Sequence, residues 1–172
     1  MRLVSAFVPL AAFLLAACGT APGSARIVTP FGVTSGGKLP DVPGGATRLV
    51  SSAGQVAFCL DRAGTATVDR VVPHVVAGAL RVDGFAIVTG AAPGTTLATG
   101  AVVSHRCPGS GRGATDAELA SMAFLQLRIH QLSAVSTVVD SFVLKYTSAG
   151  QQQSFTFPWR LDVCAPGDKL CG

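Results

Sequence analysis

Near the C-terminal end of this 172-residue chain, apolar residues recur at every second position. Phe155, Phe157, Trp159, Leu161 and Val163 share one parity, and Thr156, Pro158, Arg160, Asp162 and Cys164 the other. Period-two alternation over that length predicts a β-strand with one buried face. Pro158 has no N–H to give to a ladder, so the strand is expected at a sheet edge or locally irregular. Residues 137–147 form a second run of β-branched and aromatic residues, and Ser148-Ala149-Gly150-Gln151 suits a hairpin connection between the two runs. Further upstream, 54–60, 65–72, 79–89 and 97–107 read as strands, divided by Arg62-Ala63-Gly64, by 73–78 and by Ala92-Pro93-Gly94. Asp83-Gly84 within the third of these predicts a bulge or tight bend.

One stretch carries two periods. Thr115-Asp116-Ala117-Glu118 has the form of a helix capping box, and Leu119, Met122, Leu125, Ile129 and Leu132 fit a helical stripe. Leu125, Leu127 and Ile129 also alternate with Gln126, Arg128 and His130, as a strand requires. The reading that satisfies both is a short helix near 116–122 followed by a strand to about 131. Turn signals recurring every ~8 to 12 residues are those of a sandwich or barrel. Residues 46–172 are therefore expected to form an all-β domain, an immunoglobulin-like antiparallel β-sandwich of seven or eight strands. The immunoglobulin likeness is an analogy of fold alone, because Trp159 follows Cys107 instead of preceding it.

The N-terminus follows other rules. Arg2 supplies a positive charge, and residues 3–17 are apolar except for Ser5 and Pro9, a stretch of signal-peptide length and short for a ~30 Å hydrocarbon layer. It ends in Leu15-Ala16-Ala17-Cys18-Gly19. In these first twenty residues the chain resembles a bacterial lipoprotein precursor, with Leu15-Ala16-Ala17-Cys18 as the lipobox. The resemblance implies a signal peptide over 1–17, removed before Cys18, and a diacylglyceryl thioether (with palmitate-type acylation) on the Cys18 sulfur. Its partner is then the cell membrane or outer membrane, held through the lipid on the extracytoplasmic side. Residues 18–45, with Pro22, Pro30, Pro40 and Pro43 and paired glycines, read as a flexible tether whose apolar Ile27, Val28 and Phe31 are free to dock on the domain.

Composition narrows the function classes. Hydrophobic residues make up 49% of the chain and charged residues 13%, about half the usual share, which excludes a charge-rich disordered protein. Thirteen basic and nine acidic residues, scattered without runs, give +4 and no nucleic-acid footprint. Beyond Cys18, the cysteines Cys59, Cys107, Cys164 and Cys171 are even in number, as a disulfide framework in an exported chain requires. Of three pairings, Cys164 with Cys171 is expected, because Ala165-Pro166-Gly167-Asp168 is turn-rich, leaving Cys59 with Cys107.

Candidate chemistry is sparse. His105 and Cys107 share a strand face, and such a pair serves in metal binding or as base and nucleophile, but a disulfide at Cys107 removes it. No metal or cofactor site is expected, and no catalytic residue is assigned. Gly109-Ser110-Gly111-Arg112-Gly113 lacks the βαβ setting of a nucleotide loop. Trp159 and Tyr146 share parity with core residues and are expected inside. The expected function is a non-catalytic binding or adaptor module of the cell envelope, with an envelope protein or wall polymer as partner. The competing expectation is a small secreted enzyme or metal-handling protein using His105.

Overall fold

The alternating runs pair into ladders in the computed structural model, which describes residues 23–30, 35–90, 94–109, 115–169 and 171. The larger sheet is built on β9 (Thr137–Ser148), numbering strands along the chain. β5 (Ala66–Ala77) lies antiparallel on one side of it, with Val71 opposite Leu144. On its other side run β10 (Gln151–Phe157) and β11 (Trp159–Val163). β7 (Val102–Val103) extends this sheet past β5, and β2 (Ser35–Leu39) closes the opposite edge in parallel with β11. The smaller sheet is antiparallel, in the order β3 (Thr47–Ser51), β8 (Ala123–Gln131), β6 (Leu80–Thr89). A two-residue ladder joins β1 (Ile27–Val28) to β4 (Cys59–Leu60).

The two sheets face each other across one core. Val68, Val71, Phe142, Leu144, Trp159 and Leu161 come from the larger sheet, and Val50, Ile87, Leu125, Leu127 and Ile129 from the smaller. The fold is an all-β sandwich. Phe142 and Trp159 pack with ring centroids 5.5 Å apart, and Phe58 meets Phe157 edge-on at 5.3 Å, a geometry that aligns ring edge with ring face. Trp159 and Tyr146 are buried, as their parity predicts.

The stretch with two periods divides where expected. Helix α1 (Asp116–Ser121) opens on a closed capping box: Thr115 N donates to Glu118 Oε2 at 2.8 Å, and Glu118 N donates to Thr115 Oγ1 at 3.3 Å. β8 follows at once. The hairpin between β9 and β10 also falls as read, with Ser148 opposite Gln151. Ala149 and Gly150 both take positive φ, the requirement of the two-residue turn that matches strand twist. Asp83 is the bulge: Val82 faces Ile129 and Gly84 faces Arg128, leaving one extra residue between them.

Four expectations are corrected. First, the strand expected at 155–164 is two strands. Phe157 faces Phe142 and Leu161 faces Val139, so one extra residue is accommodated at Pro158. Second, the break expected at 73–78 begins later, because β5 runs through Pro73, which faces Phe142. There β5 has a partner on one side only, so alternate N–H groups have no ladder bond to lose. Third, 54–60 and 97–107 contribute only the short β4 and β7, with isolated bridges Phe58–Ala123 and Leu60–Arg106. With β1, β2 and β3 added, the described residues hold eleven strands instead of seven or eight.

The fourth correction concerns 18–45, read as a tether. From Gly23 onward the described residues belong to the domain: Ala25, Ile27 and Val42 are buried, β2 pairs with β11, and Val42 N donates to the Cys164 carbonyl at 2.8 Å. The Ser-Gly-Gly-Lys-Leu sequence of β2 shows no apolar alternation, yet it pairs along its length with β11. Gly36 and Gly37 lie where a Cβ would already touch Arg160 and Leu161 at 3.5 and 3.4 Å. Residues 18–22 lie outside the described residues.

Candidate functional site

β5 leaves the larger sheet and β6 enters the smaller through Gly78-Ala79. The turn needs glycine twice over: φ is +75°, and a Cβ would fall on the Ser136 carbonyl at 2.6 Å. Away from this turn the facing edges of the two strands separate and leave a cleft of about 380 Å³. Val71, Val82 and Phe85 form its apolar part, and Asp69, Arg70, Arg81 and Asp83 its charged rim.

The bulge aims Asp83 into a small charge cluster. Arg81 Nε donates to Asp83 Oδ1 at 2.5 Å, and His130 Nδ1 stands 3.7 Å from Oδ2. The hydrogen bond from Arg81 holds the Asp83 carboxyl below its ordinary range, against the partial desolvation of the site, with Arg81, His130 and Arg128 adding attraction. The same hydrogen bond, with the charge of Asp83, raises Arg81 further. His130 also meets Thr47 Oγ1 at 3.3 Å, and on the far rim Thr147 Oγ1 donates to Asp69 at 2.8 Å. Sequence reading passed over this cluster. Its one legible sign was Asp83-Gly84, which marked a bulge without showing what the bulge would aim at.

A second cluster has the residue types of a hydrolytic triad without its order. His74 Nδ1 lies 2.8 Å from Asp140 Oδ1, and Ser141 Oγ donates to that same oxygen at 2.7 Å. The serine thus bonds to the acid, whereas nucleophile activation requires serine to histidine and histidine to acid. Both bonds, Ser141 first, hold the Asp140 carboxyl below its ordinary range. All of this sits on the exposed outer face of β5 and β9.

The expected site residues are placed as follows. Cys59 is joined to Cys107 and Cys164 to Cys171, with Cα atoms 5.0 and 5.5 Å apart, the pairing expected from sequence. Cys107 is therefore no thiol ligand or nucleophile. His105 is exposed, and its carbonyl accepts from Leu60 N at 2.8 Å. Among the described residues no three of His, Cys, Asp and Glu stand close enough to hold a metal ion. Cys18, and residues 110–114 of the glycine-rich loop, lie outside the described residues.

Two further hollows border the sandwich. One of about 470 Å³ lies between β1 and β10, lined by Arg26, Tyr146, Gln151 and Gln153. Tyr146 OH accepts from Ile27 N at 3.2 Å and donates to Gln153 Oε1 at 3.0 Å. The other, about 270 Å³, lies between the edges of β2 and β3, where Trp159 Nε1 donates to Gln55 Oε1 at 2.6 Å.

No protein-family model and no curated protein matches this sequence. Among solved structures, the VesB protease of Vibrio cholerae is similar at 10% identity and a TM-score of 0.37, over 83% of this chain and 32% of that one.

Proposed function

We propose that the chain is an extracytoplasmic lipoprotein, anchored by acylated Cys18 in the cell membrane or outer membrane. On this reading it displays a non-catalytic binding or adaptor module to the cell envelope. One observation carries the reading: Leu15-Ala16-Ala17-Cys18 stands directly before a domain in which all four later cysteines pair as disulfides. Such pairs persist outside the reducing cytoplasm, in the compartment to which a lipobox directs a chain. Supporting a binding role, the open cleft between β5 and β6 combines an apolar floor with a charged rim, as surfaces that capture another protein or a wall polymer do. The exposed position of His105, and the bonding of Ser141 to Asp140 in place of His74, support a non-catalytic role for His105 and for the Asp140 cluster.

Replacing Cys18 by Ser tests the anchor. Acyl labelling is expected to vanish and the protein to leave the membrane fraction; unchanged detergent partitioning overturns the reading. Cross-linking in intact envelopes tests the module. Phe85→Ser is expected to lose adducts that His105→Ala keeps, and a loss on His105→Ala at unchanged melting temperature overturns the non-catalytic assignment.

A further inference from the structure

The end of the sandwich where the described chain begins carries three exposed arginines, Arg26, Arg62 and Arg106. Gly23 lies against Arg62: a Cβ on Gly23 would stand 3.0 Å from the Arg62 guanidinium. Arg26 is three residues on, and Arg26 N donates to Asp61 Oδ1 at 2.8 Å. Arg62 reaches the same carboxylate at 3.2 Å. Beside them the backbone of Arg106 bridges Leu60, next to the disulfide of Cys59 and Cys107. Within the Arg62–Asp61 pair the acid is the recessed partner, its side chain 25% exposed against 52% for the arginine. What this end presents outward is positive.

We propose that the β1–β4 end is an electrostatic docking surface for an anionic lipid bilayer. The inference rests on the Cys18 anchor proposed above and adds an orientation to it. Five residue steps separate Cys18 from Gly23, so even a fully extended connection holds the Gly23 Cα within about 18 Å of the Cys18 Cα that carries the acylated sulfur. A shorter path brings the arginines within the ~8 Å over which charges act in physiological salt. Each basic residue at an anionic surface strengthens attachment about fivefold. The anchor supplies retention, and the arginines decide which end of the sandwich faces the lipid. Bound in this way, the opposite end, where Gly45 N donates to the Gln131 carbonyl, is turned away from the membrane.

The chain's single tryptophan, Trp159, reports the docked state by energy transfer to dansyl-labelled lipid. Full-length protein is expressed, exported and purified, its acyl mass is checked, and it is reconstituted into vesicles of phosphatidylcholine with or without phosphatidylglycerol. Transfer is expected to change on adding phosphatidylglycerol and to revert in high salt. Arg26→Gln and Arg62→Gln are each expected to lower the docked-to-undocked ratio about fivefold. Arg48→Gln removes the same charge where β3 faces Ile129, six residues along β8 (about 20 Å) from Ala123, which bridges to Phe58, and is expected to change nothing. A chain without the acyl mass overturns the anchor and the docking together. An acylated chain whose transfer ignores phosphatidylglycerol, or responds equally to Arg48→Gln, overturns the docking alone.

Discussion

The central strands of the two sheets, β9 and β8, look alike in sequence and are used differently. β9 buries Val139, Phe142, Leu144 and Tyr146 and turns Asp140 and Lys145 to water. On β8 the core face carries Leu125, Leu127 and Ile129, yet Gln126 on the opposite face is only 1% exposed. The chain after β6 folds back over it. Gln126 Oε1 accepts from Ala98 N at 2.7 Å, and its Nε2 donates to the carbonyls of Thr96 and Gly94 at 3.2 and 3.3 Å. Leu97 fills the space that a side chain on Gly84 would take. The amide satisfies backbone groups that a covering loop would otherwise bury unpaired. A polar residue in the outward parity thus marks solvent at Asp140, Lys145 and Arg128, and a pinned loop at Gln126.

The core beneath β9 gives the largest expected effect. Phe142→Ala removes a fully buried ring packed on Trp159 and is expected to cost about 3–5 kcal/mol in denaturant unfolding. A loss below about 1 kcal/mol would mean that the two sheets do not share a tight core there. Next comes the disulfide that ends the segment covering β8. Replacing Cys59 and Cys107 by Ala opens a span of 48 residues and is expected to cost about 2–4 kcal/mol, measured by thermal unfolding. Its loss should also raise hydrogen exchange over 94–107 more than over β9.

The comparison itself is tested by matched substitutions on the two outer faces. Gln126→Leu keeps the volume but strands Ala98 N and two carbonyls, and is expected to cost about 1–3 kcal/mol. Lys145→Leu, on the exposed face of β9, is expected to stay within about 0.5 kcal/mol. Equal costs would mean that the loop over β8 holds Gln126 no more tightly than water holds Lys145. The smallest effect belongs to Asp83 beside β8. Its carboxyl is held below the ordinary range in the folded state, so its contribution is present above the unfolded value and disappears as pH falls through the folded one. Wild type and Asp83→Asn are expected to differ slightly at neutral pH and to converge in acid; a gap that widens on acidification would reverse the sign.

Much of this architecture was legible before folding. The capping box at Thr115, the turn at Ala149-Gly150, the bulge at Asp83 and the burial of Trp159 each depend on contacts within a few residues or on strand parity, which sequence spacing records directly. The cysteine pairing followed from one turn-rich loop and a remainder of two. The charge cluster of Arg81, Asp83 and His130 left only its bulge visible, because its members come from different strands whose register no local pattern states.

The sequence by itself determined an all-β domain and the burial of residues such as Trp159 and Tyr146, and it favoured one of three cysteine pairings, since these follow from side-chain period and local turn chemistry. That Ala25, Ile27 and Val42 join the core did not follow from it. Tertiary structure alone decided that β2 joins β11 and that Pro73 stays inside β5. Each is a backbone pairing between distant segments. Its free energy resides in hydrogen bonds that any residue with an N–H or a carbonyl can make, so the side-chain pattern holds little record of it.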